Sequence, residues 1–160
     1  APLILALIRE LADYERLLHE FVAEESDLAL SLFGPTPRVF CDIAEWDGAP
    51  VGLAIWFYSF STFRGRHGIY LEDLYVRPSH RGRGIGKALL GELARRCIRE
   101  ALPRLEWSVL DWNKPALEVY RAIGAQGMDE WTVHRLSGPA LEALARGAGE
   151  GVNGMGETTP

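Results

Sequence analysis

The 160-residue sequence predicts a mixed α/β fold, with one mostly antiparallel central sheet flanked by helices. Three observations lead there. Val39 to Trp46 and Val51 to Phe60 are β-branched and aromatic runs joined by Asp47-Gly48, a pair that tolerates positive φ, so they read as an antiparallel hairpin. Lys87 to Leu102 places Ala88, Leu89, Leu90, Leu93, Ala94, Cys97 and Ile98 on one side of an amphipathic helix. The predicted order of elements, α-α-β-β-β-α-β-α-β, supplies helices for both faces of one sheet.

The elements follow in order. Residues 3–12 form a helix with a broad apolar face, and residues 25–33 a second, weaker one that stops at Gly34-Pro35. After the hairpin, Ser61 to Gly68 is polar and basic and reads as a loop. Ile69 to Val76 is a strand that ends before Pro78, which has no N–H for a ladder. Pro103 stops the long helix, and Leu105 to Leu110 is the next strand. Asn113 suits an N-cap, with Pro115 tolerated in the first turn of a helix that runs to Ile123 and stops at Gly124. Trp131 to Leu136 is expected to be a final strand and Pro139 to Arg146 a short helix. The domain is thus expected to span residues 1–146. Residues 147–160 hold five glycines in fourteen and read as a flexible Gly-rich tail.

Composition narrows the function classes. The chain carries a net charge of −5, which argues against general nucleic-acid binding. No run approaches the roughly 20 apolar residues of a membrane span. Cys41 and Cys97 are too few and too far apart for a zinc pattern, the four histidines are scattered, and no metal ligand is assigned. Free thiols fit a cytoplasmic protein. Between Arg77 and Arg104, eight Arg or Lys stand against Glu92 and Glu100, a local balance of +6 that leaves −11 for the remainder. A solvated helix face accounts for this as well as a small anion site does. An acidic remainder would suit a cationic substrate.

The segment Arg81-Gly82-Arg83-Gly84-Ile85-Gly86-Lys87 lies between a strand and a helix. Glycines let backbone approach a ligand, and the first amides of the helix are unpaired at the positive end of its dipole. Such a turn seats a phosphate or pyrophosphate, or simply reverses the chain. It is not a Walker loop, because Arg81 stands at the first glycine position and Ala88 at the Ser/Thr position. It is not the dinucleotide fingerprint, because counting from Gly82 puts Lys87 where the third glycine belongs.

Val76 to Leu90, VRPSHRGRGIGKALL, resembles the acetyl-CoA signature of the GNAT N-acetyltransferases, with Arg81, Gly84 and Gly86 at its key positions. Asp111 to Ala125, DWNKPALEVYRAIGA, is similar to the family's later motif. With LADYE at 11–15 and YLEDLYV at 70–76, the chain resembles the spermidine/spermine (diamine) acetyltransferase branch up to about Leu136. The chain begins at its first helix where the family has a preceding strand, so N-terminal residues are expected to be missing. Thr62 stands where the branch tends to place an acidic substrate contact.

The resemblance implies a GNAT fold with a bulged strand splayed from its neighbour at the acetyl-CoA site. It implies that Arg81 and the amides of Gly82, Arg83, Gly84, Ile85, Gly86 and Lys87 hold the CoA pyrophosphate. The backbone of Leu74, Tyr75 and Val76 would pair with the pantetheine arm, and Asn113, Lys114, Pro115, Ala116 and Tyr120 would also contact the cofactor. Glu72 is the expected proton acceptor, since an alkyl ammonium with a pKa near about 10.4 arrives protonated. Tyr120 would protonate the leaving thiolate. An exposed carboxylate and a core aromatic are the plain alternatives for these two, and an N-cap for Asn113. Asp73 ranks below Glu72, because an alternating strand turns it to the opposite face. Tyr14, Glu15, Glu72, Glu106, Trp107, Ser108 and Glu130 are the expected substrate contacts, although Glu15 and Glu130 read equally as solvated surface charges. A covalent acetyl-cysteine route is disfavoured. The expected activity is direct acetyl transfer from acetyl-CoA to a diamine, a polyamine or a lysine-like amino acid, by a homodimer. A protein or peptide acetyltransferase and a non-catalytic acyl-CoA sensor are the alternatives.

Overall fold

The computed structural model describes residues 1–148. Its contacts divide the chain into two units, 1–119 and 120–160, each described by itself. The predicted tail lies outside the described residues from 149 onward, and Gly147 and Ala148 end a helix.

Two helices open the first unit. α1 (Pro2–Tyr14) buries Ile4, Leu7 and Leu11, three to four residues apart on one stripe. α2 (Glu25–Phe33) starts in a capping box, where the Glu24 amide donates to Asp27 Oδ2 at 3.1 Å. β1 (Phe40–Trp46) and β2 (Ala49–Ser61) form the expected hairpin, with Asp47 at φ 51° and Gly48 at φ 75°. β3 (Arg66–Val76) pairs antiparallel with β2, and β4 (Leu105–Trp107) pairs parallel with β3, giving the order β1-β2-β3-β4. Between β3 and β4 runs α3 (Ile85–Arg99). α4 (Lys114–Ala122) follows β4, and α5 (Gly138–Ala148) lies in the second unit.

Side-chain alternation along β2 assigns the two faces of the sheet. Leu53 and Ile55 join Ile4, Leu7, Leu11, Leu32 and Tyr75 in one core under α1 and α2. Trp56 points the other way, 2% exposed, with the Arg96 guanidinium of α3 at 4.8 Å over its ring and its indole N–H donating to Asp42 at 3.0 Å. Arg77 fastens α1 to the end of β3. Its Nη2 donates to Glu10 Oε1 at 2.7 Å, its Nε to Glu10 Oε2 at 3.0 Å, and its Nη1 to the Pro50 carbonyl at 2.9 Å.

Three expectations are corrected. The loop predicted over 61–68 shrinks to residues 62–65, because backbone pairing carries the polar residues into the hairpin, from Ser61↔Arg66 to Ser59↔Gly68. The strand predicted over 105–110 stops at Trp107, where its ladder with β3, its partner among the described residues, ends at Leu71. Residues 131–136 form no strand. Trp131 and Val133 are exposed, and β-propensity makes no strand without an edge to pair with.

Gly52 shows how closely β2 and β3 approach. A Cβ there would sit 2.5 Å from the Tyr75 carbonyl oxygen, which is backbone. Gly52→Ala is expected to cost about 1–3 kcal/mol by overpacking, read as a lower urea midpoint with an unchanged m-value.

Candidate functional site

The ladder between β2 and β3 carries one extra residue on β3. Ile55 pairs with Asp73 and Trp56 with Leu71, so Glu72 is the bulged residue. The parallel ladder with β4 ends at Leu71↔Trp107, one residue before the bulge. From Glu72 to Val76, β3 therefore keeps β2 on one side and no strand among the described residues on the other. The resemblance implied such a bulge in this strand.

The bulge also changes which carboxylates meet. The low rank of Asp73 rested on strict alternation, which an inserted residue interrupts. Burial, followed by the negative charges of Glu72 and Glu15, pushes Asp73 up from 3.8 to about 6. Glu15, just past the end of α1, is half-buried and is itself raised by burial. Glu15, Glu72 and Asp73 thus form one acidic group in which each carboxylate adds to the field at Asp73. The bulge removes the alternation on which the ranking of Asp73 below Glu72 was argued.

The glycine turn has the conformation an anion site needs. Gly82 lies at φ 75° and Gly84 at φ 79°, left-handed values that favour glycine, and a Cβ on either would meet open space. Gly84 is the N-cap of α3, with no side-chain cap. The first intrahelical bond runs from the Ala88 amide to the Gly84 carbonyl at 2.9 Å, so the amides from Gly82 to Lys87 all precede it. These donors and the open space in front of them fit a pyrophosphate. Arg83 turns aside, its guanidinium 5.1 Å from the Trp46 ring, beside a cleft of about 570 Å³ between β1 and the start of α3. Arg81 also turns back onto the protein, its Nε donating to the Val76 carbonyl at 2.9 Å.

The other predicted residues are distributed as follows. Tyr14 ends α1, its ring 6.1 Å from that of Trp112, which brings the start of the later motif beside the first helix. Asn113 is the N-cap of α4: its carbonyl accepts from the Leu117 amide at 3.1 Å and its Oδ1 from the Ala116 amide at 3.4 Å. Lys114, Pro115 and Ala116 form the first turn of that helix. On β4, Glu106 is ion-paired to Arg104 at 2.7 Å rather than joined to the acidic group, and Trp107 ends the strand. Ser108 Oγ lies 2.7 Å from the Tyr70 hydroxyl. In the second unit, the carbonyl of Tyr120 accepts the Ala125 amide at 3.0 Å, and Glu130 is an exposed turn residue.

Neither cysteine is an available nucleophile. Burial, aided by the charges of Asp42 and Asp73, pushes the Cys41 thiol up to about 12. Burial also raises Cys97. Among the described residues no group of His, Cys, Asp and Glu is set to hold a metal ion, and no helix is long and apolar enough to cross a membrane.

A bulged strand beside a left-handed glycine turn at a helix start is an arrangement suited to an anionic ligand, and the comparisons place the fold in a family. Residues 5–125 match the model described as Acetyltransferase (GNAT) family. The chain belongs to that family of N-acetyltransferases, whose cosubstrate is acetyl-CoA. Within it, the chain falls among the thialysine and spermidine/spermine acetyltransferase-like proteins. It is 41% identical over 153 residues to a thialysine N-epsilon-acetyltransferase of Bos taurus, with 89% of each chain covered. It is 31% identical to an L-ornithine N5-acetyltransferase of Arabidopsis thaliana, over 89% of this chain and 82% of that one. Among solved structures, an integron cassette protein from the mobile metagenome of V. cholerae matches with a TM-score of 0.74 at 30% identity, covering 89% of this chain and 90% of the other.

The raised Asp73 pKa has a consequence for stability. Between about pH 4 and 6 the folded chain holds a proton on Asp73 that the unfolded chain has released, so this group's contribution to stability is most favourable below about pH 4 and is lost as pH rises through 6. Asp73→Asn removes this penalty. It is expected to raise stability at pH 7–8 by on the order of 1–2 kcal/mol, with the gain vanishing near pH 4, as read by thermal melts across pH.

Proposed function

We propose that this chain transfers acetyl from acetyl-CoA to a primary amine of a small cationic acceptor, a lysine-like amino acid before a diamine or polyamine. The observation that carries the choice is the acidic group of Glu15, Glu72 and Asp73 on a strand with a free edge. Carboxylates held together attract a charged amine and favour its entry. The relatives named for thialysine and ornithine support an amino acid with a terminal amine. The family likeness supports a cytoplasmic homodimer.

When bound, acetyl-CoA supplies an activated thioester carbonyl. The chain's own groups do the rest. Amides from Gly82 to Lys87 hold the phosphates, and the edge from Leu74 to Val76, where Arg81 already takes the Val76 carbonyl, aligns the pantetheine arm through its other groups. An amide near Leu74 is placed to stabilise negative charge developing on the acetyl oxygen, an effect worth a few kcal/mol in such sites. The incoming amine must lose a proton, and Glu72 accepts it directly or through water. Asp73 is a second acceptor in this reading, because a carboxylate whose pKa is about 6 is better matched to neutral pH than an ordinary one. Tyr120 donates the proton that the departing thiolate takes up.

An acceptor panel tests this: thialysine, lysine, ornithine, putrescine, spermidine and a short peptide, followed by release of CoA thiol. The terminal amines of the amino acids are expected to turn over fastest. Preferential turnover of the peptide would overturn the small-acceptor reading. Glu72→Gln is expected to lower kcat roughly 10²-fold, most strongly at low pH. Tyr120→Phe should lower kcat while CoA affinity is retained. Wild-type kcat in both variants would remove their assigned roles.

A further inference from the structure

Arg81 opens the glycine turn, yet its side chain is spent on the protein. The Arg77 amide donates to the Val51 carbonyl of β2 at 2.8 Å. A planar trans peptide points its C=O opposite to its N–H, so the Val76 carbonyl faces away from β2, onto the free side of β3. That is the carbonyl to which Arg81 Nε donates at 2.9 Å. The same guanidinium lies 4.2 Å from the centre of the Tyr14 ring and 5.8 Å from that of Tyr75. One side chain therefore joins the end of β3, the first residue of the turn and the last residue of α1. Tyr14 precedes Glu15, a member of the acidic group.

We propose that Arg81 and Tyr14 act as one positioning pair that couples the cofactor turn to the amine-binding end of α1. The proposal rests on the reading that amides from Gly82 to Lys87 seat the phosphates of CoA. Gly82 and Gly84 leave the turn with much conformational freedom, and that freedom is lost when a ligand is held. Fastening the residue before them lowers the ordering cost of binding. Tyr14 is what fastens it: the ring lies against the guanidinium, and the guanidinium bonds the turn to the Val76 carbonyl. Cofactor binding that orders the turn also orders the Tyr14 ring and the carboxylate beside it. Such coupling is reciprocal, so amine binding tightens the grip on CoA by the same factor. Tyr14, assigned by resemblance to the amine, thus serves both ligands.

Calorimetric titration with CoA tests the pair in the full chain, with Tyr14→Leu, Tyr14→Phe, Arg81→Lys and the double variant Tyr14→Leu/Arg81→Lys. Arg81→Lys keeps the charge and removes the planar contact, so a loss there is not simple electrostatics. Tyr14→Leu and Arg81→Lys are each expected to weaken CoA binding about two- to fivefold, the scale of one exposed cation–π contact. The double variant should be no weaker than the worse single one, and Tyr14→Phe should rescue the affinity. The proposal is overturned if Tyr14→Leu raises only the KM of the amine and leaves the CoA Kd at the wild-type value, or if the two losses multiply. A wild-type chain that fails to bind CoA would overturn the cofactor-site reading and this pair together. Wild-type binding with independent losses would overturn the pair alone.

Discussion

One residue more on β3 than on β2, inserted at Glu72 opposite the Ile55–Trp56 step, governs the geometry around the turn. Before it, β3 is an ordinary inner strand with β4 alongside. After it, no strand among the described residues pairs with the other side, where the Val76 carbonyl accepts from Arg81. A regular strand in this place would have kept β4 paired and closed that side. It would also have sent Glu72 and Asp73 to opposite faces. The same insertion thus provides backbone for a ligand to pair with and gathers negative charge next to it.

Such a strand needs an anchor, because pairing on one side leaves it free to slide. Arg77 provides the anchor directly after its last residue, with two bonds to Glu10 and one to the Pro50 carbonyl. The pair is partly exposed, so its value lies less in stability than in direction. It sets where α1 meets the strand and therefore where Tyr14 and Glu15 arrive. Hydrogen bonding to Arg77 also holds the Glu10 carboxyl below its usual range, so the clasp stays charged across the working pH.

Much of this was legible from local chemistry. Asp47-Gly48 named its turn because few residue pairs accept positive φ twice in succession. The glycine turn was legible for the same reason, and Asn113 because a short polar side chain before a helix has few other uses. What local chemistry does not carry is partnership. Trp131 to Leu136 has the residues of a strand and pairs with nothing among the described residues. Leu105 to Leu110 has them too and pairs for only three. Nothing local announces that Glu106 is paired with Arg104. The alternation used to separate Asp73 from Glu72 is a rule for regular strands, and YLEDLYV holds nothing that marks the irregular one. Knowing that a bulge occurs is different from knowing on which residue it falls.

Cys41 has a practical consequence. Sulfhydryl reagents and peroxides attack the ionised sulfur, and burial that pushes this thiol up to about 12 disfavours that form in the folded chain. The strand that carries it should stay unmarked by maleimides or iodoacetamide as long as the chain is folded. Alkylation at this position would then report unfolding, giving a chemical clock for the opening of the hairpin without an added label.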